Sequence, residues 1–183
     1  IALRLVGSEM CIRDRLTVEQ VLRRLLPQGM EVPSAFEQVG HVAHVNLRDE
    51  QLPYKAVIGQ VLLDKNSRLR SVVNKVESIS NELRVFPMEL LAGEPSLVTK
   101  VRENGATFEL DYREVYWNSR LEREHWRVVE QIGEDEVVCD MMAGIGPFAM
   151  PAALRGSKVY ANDLNPHSAH WLRRNVAANK VPR

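Results

Sequence analysis

Residues 137–179 carry the pattern that most restricts how this chain can fold. Val137-Val-Cys-Asp140 is a short β-prone run, and Pro147 to Leu154 reads as a helix. Lys158-Val-Tyr-Ala-Asn162 is a second β-prone run, and Pro166 to Asn179 reads as a second helix. Strand, helix, strand and helix at this spacing predict a right-handed βαβ unit of a doubly wound parallel sheet. Helices cover both faces of such a sheet, so Val137–Asp140 is expected to be a buried strand.

The first strand and helix are joined by Asp140-Met-Met-Ala-Gly144-Ile-Gly146-Pro-Phe-Ala149. Glycines there let the backbone approach a ligand closely, and the following helix offers unpaired N–H groups. Asp163 ends the next strand, where a carboxylate can accept hydrogen bonds from two ribose hydroxyls. By itself the loop leaves three readings open. Gly144, Gly146 and Ala149 satisfy the dinucleotide fingerprint with Ala in third place, as in an NAD-linked oxidoreductase. A nucleoside without pyrophosphate fits as well, and so does a tight turn with no ligand. Two details favour the nucleoside. An anionic Asp140 would repel a pyrophosphate but can receive the α-amino group of a methionine moiety. Pro147 lacks the backbone donor a phosphate would use.

The preceding residues read as a mixed α/β module over 16–112, followed by the loop-bearing region from 113 to 183. Thr17-Val-Glu-Gln20 fits a capping box before the apolar stripe Val18, Val21, Leu22, Leu25 and Leu26. Pro33 to Glu37 offers a second capped turn, closed by Gly40. His41 to Leu47 reads as a buried strand, and Pro53 opens a helix running to about Asp64. Ser71–Val76 and Leu83–Leu91 are further strand candidates. Leu97–Arg102 and Ala106–Asp111 form a hairpin around Asn104-Gly105, a dipeptide that favours a tight turn. Ser119-Arg-Leu-Glu122 reads as another capping box ahead of Trp126, Val128, Val129 and Ile132.

Composition excludes some classes. Lys+Arg and Asp+Glu number 24 each, so bulk charge says nothing about a nucleic-acid partner. Two cysteines, Cys11 and Cys139, are too few for a structural zinc site or a disulfide scaffold, which favours a reducing intracellular compartment. No apolar run reaches the ~18 residues of a membrane helix. His41 and His44 have no accompanying carboxylate cluster, so no metal site is expected. Residues 1–15 precede the first capped helix and contain the string Leu5-Val-Gly-Ser-Glu-Met-Cys-Ile-Arg-Asp-Arg15. That string reads as a non-native or disordered arm.

Four ordered segments bring a family into view. They are Gly40-His-Val-Ala-His-Val-Asn-Leu-Arg48, Val115-Tyr-Trp-Asn-Ser-Arg-Leu121 with Glu124, Asp140 to Phe148, and Ala161-Asn-Asp-Leu-Asn-Pro166. Together they closely resemble the eukaryotic and archaeal tRNA (guanine-37 N1)-methyltransferases. The resemblance implies the N-terminal part of a class I, Rossmann-like methyltransferase domain behind an RNA-contacting α/β module. It implies S-adenosylmethionine as cofactor, the tRNA anticodon region as partner, and a monomer without metal. The compartment would be cytoplasm, nucleus or mitochondrial matrix. Asp140, Ala143, Gly144, Gly146, Phe148, Asp163 and Leu164 would line the cofactor.

Guanine N1 carries a proton, so methyl transfer needs a base for that proton and a cation near O6. By motif position these roles fall on Glu124 and on Arg84, in the strand before Ala92-Gly-Glu94. Asn118, Ser119 and Arg120 would meet RNA. Arg120 and Glu124 are four apart on a helix and are expected to be able to pair. Read without the family, Glu124 is a surface ion-pair partner, Arg84 a solvated charge and His125 an exposed helix residue. A sister family transfers an aminocarboxypropyl group in wybutosine synthesis on a similar scaffold, without that Arg and Glu. A class I sheet has about seven strands and this chain supplies two. The expectation is therefore an incomplete catalytic domain that, as it stands, neither methylates RNA nor binds cofactor tightly.

Overall fold

The computed structural model describes residues 16–33, 35–76, 82–133 and 135–181. The expected arm over 1–15 lies outside the described residues. The chain separates into two compact units: among the described residues the first holds those up to Glu37, Val42–Val76 and Met88–Pro95, and the second holds Gln38–His41, residues 82–87 and those from Ser96 on.

The first unit packs two helices on a sheet. Helix α1 (Val18–Leu25) starts with the expected capping box, Thr17 Oγ1 accepting from the Gln20 amide and Gln20 Oε1 from the Thr17 amide. Strand β1 (Glu37–Val39) stands where a capped turn was expected, and β2 (Val42–Val45) is buried at every residue. A 3-10 turn (Asp49–Tyr54) takes up Pro53 and leads into α2 (Lys55–Lys65). Strands β3 (Ser71–Lys75) and β4 (Met88–Gly93) complete a sheet of order β1-β2-β3-β4. β2 and β3 run parallel, and β3 and β4 antiparallel. Leu22, Ile58, Leu62 and Val72 are fully buried between helices and sheet.

The expected strand from Leu83 begins five residues late. Pro87 has no N–H for a ladder, and Arg84 has a left-handed backbone (φ 59°) that extended pairing excludes. Arg84 therefore lies on the exposed bend before β4, not in a strand, and Ala92 and Gly93 are the strand's last residues.

The second unit contains the hairpin β5 (Val98–Glu103) and β6 (Ala106–Asp111), joined by left-handed Asn104 and Gly105 as expected. The hairpin, placed ahead of the expected division at residue 112, groups with this unit. Then come a 3-10 turn (Ser119–Leu121), α3 (Glu122–Glu130), β7 (Val137–Asp140), α4 (Ala149–Leu154), β8 (Lys158–Ala161) and α5 (Pro166–Ala178). β7 and β8 pair in parallel, register Val137↔Lys158 to Asp140↔Ala161, as the βαβ reading predicts. The capping box expected at Ser119 is absent. Asn118 Oδ1 accepts from the Arg120 amide, while Ser119 Oγ accepts from Trp117 Nε1.

β7 is not the buried strand expected: Val137 is 65% exposed. Among the described residues β7 and β8 pair only with each other, so no neighbouring strand flanks them. No helix among the described residues is long and apolar enough to cross a membrane.

Helix α5 holds the hairpin by its backbone. Asn179 Oδ1 accepts from the Thr107 amide at 2.8 Å and its Nδ2 donates to the Thr107 carbonyl at 2.7 Å. Asn175 does the same to Glu109, at 2.8 and 3.1 Å. Each carboxamide mimics a strand residue on the free edge of β6. The spacing matches: four helical residues rise about 6 Å and two strand residues about 6.8 Å. Asn175 is fully buried, so removing its amide strands a peptide N–H and C=O. Asn175→Leu is expected to cost about 2–4 kcal/mol and Asn179→Ala about 1–2 kcal/mol, each orphaned group being worth about 1–3 kcal/mol. Urea midpoints of both variants check this; a shift for neither would mean that water replaces the carboxamides at no loss.

Candidate active site

The loop after β7 is folded largely by its own hydrogen bonds. The Ala143 amide donates to the Asn162 carbonyl at 2.8 Å and the Gly146 amide to the Ala143 carbonyl at 2.8 Å. Asp163 ties the two strand ends together. Its Oδ2 accepts from the Gly144 amide at 2.7 Å and its Oδ1 from the Asn165 amide at 2.8 Å.

The two loop glycines serve different needs. Gly146 (φ +100°) is buried, and a Cβ there would come within 2.6 Å of Leu172 Cδ1 and 2.8 Å of Met150 Cγ. It is required for packing. Gly144 (φ +55°) would meet nothing within 4 Å, so its exposed side faces open space that a ligand can fill.

Asp140 Oδ1 accepts from the Met142 amide at a long 3.4 Å, whereas Oδ2 is buried with no hydrogen-bond partner among the described residues. Burial pushes this carboxyl above the usual carboxylate range, the Asp163 charge adds to the shift, and the Met142 N–H opposes it. A half-buried carboxylate with one idle oxygen is suited to a cationic donor. Ala143 is buried, Phe148 is half-buried, and Leu164 is 72% exposed beside Asp163.

Glu124 lies in the first turn of α3, exposed to solvent. The expected Arg120 pairing is replaced by Arg127, whose Nε and Nη2 each reach a different Glu124 oxygen at 2.7 Å. That two-pronged bond, helped by the charges of Arg127 and His125, holds the Glu124 carboxyl below its usual range. Three residues apart is as good a helical spacing as four, and α3 begins only at Glu122, which leaves Arg120 in the turn before it. Asn118 is half-buried, with its side chain spent on the turn, whereas Ser119 and Arg120 are exposed. Arg84 sits apart from these elements in sequence, on its own exposed bend.

Sequence reasoning missed a buried ionisable pair. His125 was expected to be exposed, but it is 5% exposed, and its Nδ1 bonds to Oε1 of Glu103, also 5% exposed. His125 packs edge-on against the Phe148 ring at 4.8 Å. Two signals were present. His125 precedes buried Val129 by one helical turn, and Glu103 shares strand parity with inward-facing Thr99. No group of three or more metal-ligating side chains occurs among the described residues.

Comparison with known proteins covers almost the whole described chain. Residues 99–183 match the TRM5/TYW2 methyltransferase domain and residues 18–96 the TYW2 N-terminal domain. The chain is 62% identical over 164 residues to the tRNA (guanine(37)-N(1))-methyltransferase of Phytophthora infestans, covering 90% of this chain and 40% of the relative. It is 54% identical over 168 residues to the enzyme of that name from Xenopus tropicalis, covering 92% and 34%. The chain thus spans well under half the length of these relatives. A solved complex of aTrm5 with tRNALeu superimposes with a TM-score of 0.80 at 28% identity, covering 90% of this chain and 50% of that one. These matches and the glycine loop lead to one conclusion: residues 99–183 are a TRM5/TYW2 methyltransferase domain, and the chain belongs to that family.

Proposed function

We propose that this chain is the part of a tRNA (guanine-37 N1)-methyltransferase that carries the RNA-contacting module, the proton acceptor and the first half of the S-adenosylmethionine site. One juxtaposition carries the reading. The helix bearing Glu124 packs, through the next residue, on the aromatic ring that follows the glycine loop. A base and a cofactor loop are thereby built as one unit.

When bound, S-adenosylmethionine supplies an electrophilic methyl group on a sulfonium. Asp140 would hold its α-amino group, Gly144 would leave room for it, and Leu164 would offer apolar surface beside Asp163. Both Asp163 oxygens already hold backbone amides, so ribose hydroxyls share their remaining lone pairs. Glu124 takes the guanine N1 proton. A carboxylate is ionised at neutral pH, the form a base requires; the Arg127 bond that lowers its pKa also weakens it as a base, so Arg127 must release one oxygen to the incoming N–H. Arg84 supplies positive charge toward O6 as the proton leaves, and Ser119 and Arg120 meet the RNA backbone.

The match of residues 18–96 to the TYW2 N-terminal domain favours a second reading, aminocarboxypropyl transfer. The identities to the guanine-37 methyltransferases support methyl transfer over it. The mass added to the tRNA nucleoside separates the two. Calorimetry with NAD and with S-adenosylhomocysteine tests the dinucleotide alternative.

In an enzyme carrying these residues at the full length of its relatives, Glu124→Gln is expected to slow methyl transfer about 10²–10⁴-fold. Binding of tRNA should stay within a few-fold. Primer extension that still stops at guanine 37 at the wild-type rate removes Glu124 from the mechanism.

Asp140→Asn separates stability from binding. The folded pKa of Asp140 lies above its unfolded value, so the ionised group disfavours folding once pH exceeds the folded pKa, and this is relieved as pH falls. The variant is therefore expected to melt no lower than wild type at neutral pH, while S-adenosylhomocysteine binds at least about tenfold more weakly, the loss of one charge-assisted hydrogen bond. Unchanged affinity in calorimetry contradicts the assignment.

A further inference from the structure

The Glu103–His125 pair has no part in the chemistry proposed above, yet it occupies the junction of three elements. Glu103 ends β5. His125 sits in α3 directly after Glu124, bonds Glu103 through Nδ1, and lays its ring edge on Phe148. Trp117 packs on the same imidazole, with ring centroids 6.3 Å apart. The adjoining hairpin residue Asn104 donates from Nδ2 to the Glu122 carbonyl at 3.3 Å, so the hairpin holds the first turn of α3 at two points.

Stability alone does not account for this choice. Two buried ionisable side chains contribute little net free energy compared with apolar residues of similar volume. What they add is direction. A hydrogen bond from a buried ring nitrogen fixes the rotation of α3 about its axis. Consecutive helical residues are 100° apart, so fixing His125 inward fixes Glu124 outward. A slip of about 20° would carry the Glu124 carboxylate sideways by about 2 Å. Misplacement by about 1 Å can slow a positioned reaction about a hundredfold.

We propose that His125, anchored by Glu103, is a positioning residue that registers Glu124 against the glycine loop through Phe148. This rests on Glu124 being the proton acceptor. Apolar packing would fill the same space without transmitting that register.

The test uses the full-length enzyme with His125→Leu, Glu103→Leu and Glu103→Gln. Single-turnover methyl transfer at saturating tRNA and S-adenosylmethionine, tRNA affinity, and S-adenosylhomocysteine affinity are measured on each. The leucine variants are expected to react at least about tenfold more slowly, with tRNA affinity within about twofold. They should bind S-adenosylhomocysteine about fivefold more weakly, because Phe148 loses its support. Glu103→Gln keeps an acceptor for Nδ1–H and is expected to stay within about threefold of wild type.

Leucine variants at the wild-type rate overturn the proposal. So does Glu103→Gln as slow as Glu103→Leu, since the bond is then kept and the rate still lost. If the leucine variants fail to fold, His125→Asn replaces them. It retains the bond to Glu103 but not the ring, and unchanged S-adenosylhomocysteine affinity in it overturns the proposal. If wild type leaves guanine N1 unmodified, the functional reading fails instead, and the S-adenosylhomocysteine measurements still decide whether the pair supports the loop.

Discussion

Three asparagines on and flanking one helix hold the backbone of the strand and turn that precede the glycine loop. Asn175 and Asn179 stand in for a missing strand along β6, and Asn165 donates from Nδ2 to the Glu114 carbonyl at 2.7 Å. The methyltransferase elements would otherwise be two half-exposed parallel strands and two helices, too little to specify a position. Side chains that bond peptide groups are indifferent to the identity of residues 107–114 but strict about their spacing. The grip also covers a strand edge that would otherwise present unpaired N–H and C=O groups. The Phe108 and Trp117 rings, 5.2 Å apart, then pack inside the frame that α5 has set.

Asp163 continues that logic into the loop. Asn165 caps α5, accepting from the His167 amide, and its own amide donates to Asp163, whose second oxygen takes Gly144. A continuous chain of hydrogen bonds therefore runs from the hairpin through α5 to the open face of the loop. The rigid end of this chain contrasts with Asp140, where a buried oxygen lacks a partner. A satisfied carboxylate thus stands beside an unsatisfied one, whose burial without a partner costs stability.

Most of the fold was legible because its signals are local. The Thr17 capping box, the Asn104-Gly105 turn and the spacing of the βαβ unit each need only a few residues. The failures at Val137 and His125 come from tertiary context. Whether Val137 is buried depends on neighbouring strands, and no property of Val137-Val-Cys-Asp140 reports their presence. Arg84 left its expected strand because Pro87, three residues on, blocks the ladder, a local signal passed over in favour of apolar content. In the site, the residue types at Asp140, Gly144 and Asp163 could be read, but their division of labour could not. Gly144 and Gly146 look alike in sequence and differ only in what surrounds them. His125 was misjudged because its partner, Glu103, lies 22 residues away, and strand parity alone gave it.

The loop pattern fits a dinucleotide fingerprint, yet the hydrogen-bond inventory argues against a phosphate cradle. A pyrophosphate is held by backbone N–H groups turned outward. Here the Ala143 amide is spent on Asn162, that of Gly144 on Asp163 and that of Gly146 on Ala143, while Met142 points toward Asp140 and Pro147 has none. Binding a phosphate would mean breaking bonds that hold β7 to β8, beside two carboxylates that repel it. A neutral ribose with a cationic amine needs none of those donors. It needs acceptors, and Asp140 and Asp163 are acceptors set on either side of Gly144. Amides spent within the loop, beside two carboxylates, thus disfavour an anionic group at this position and favour a cationic one before any shape is considered.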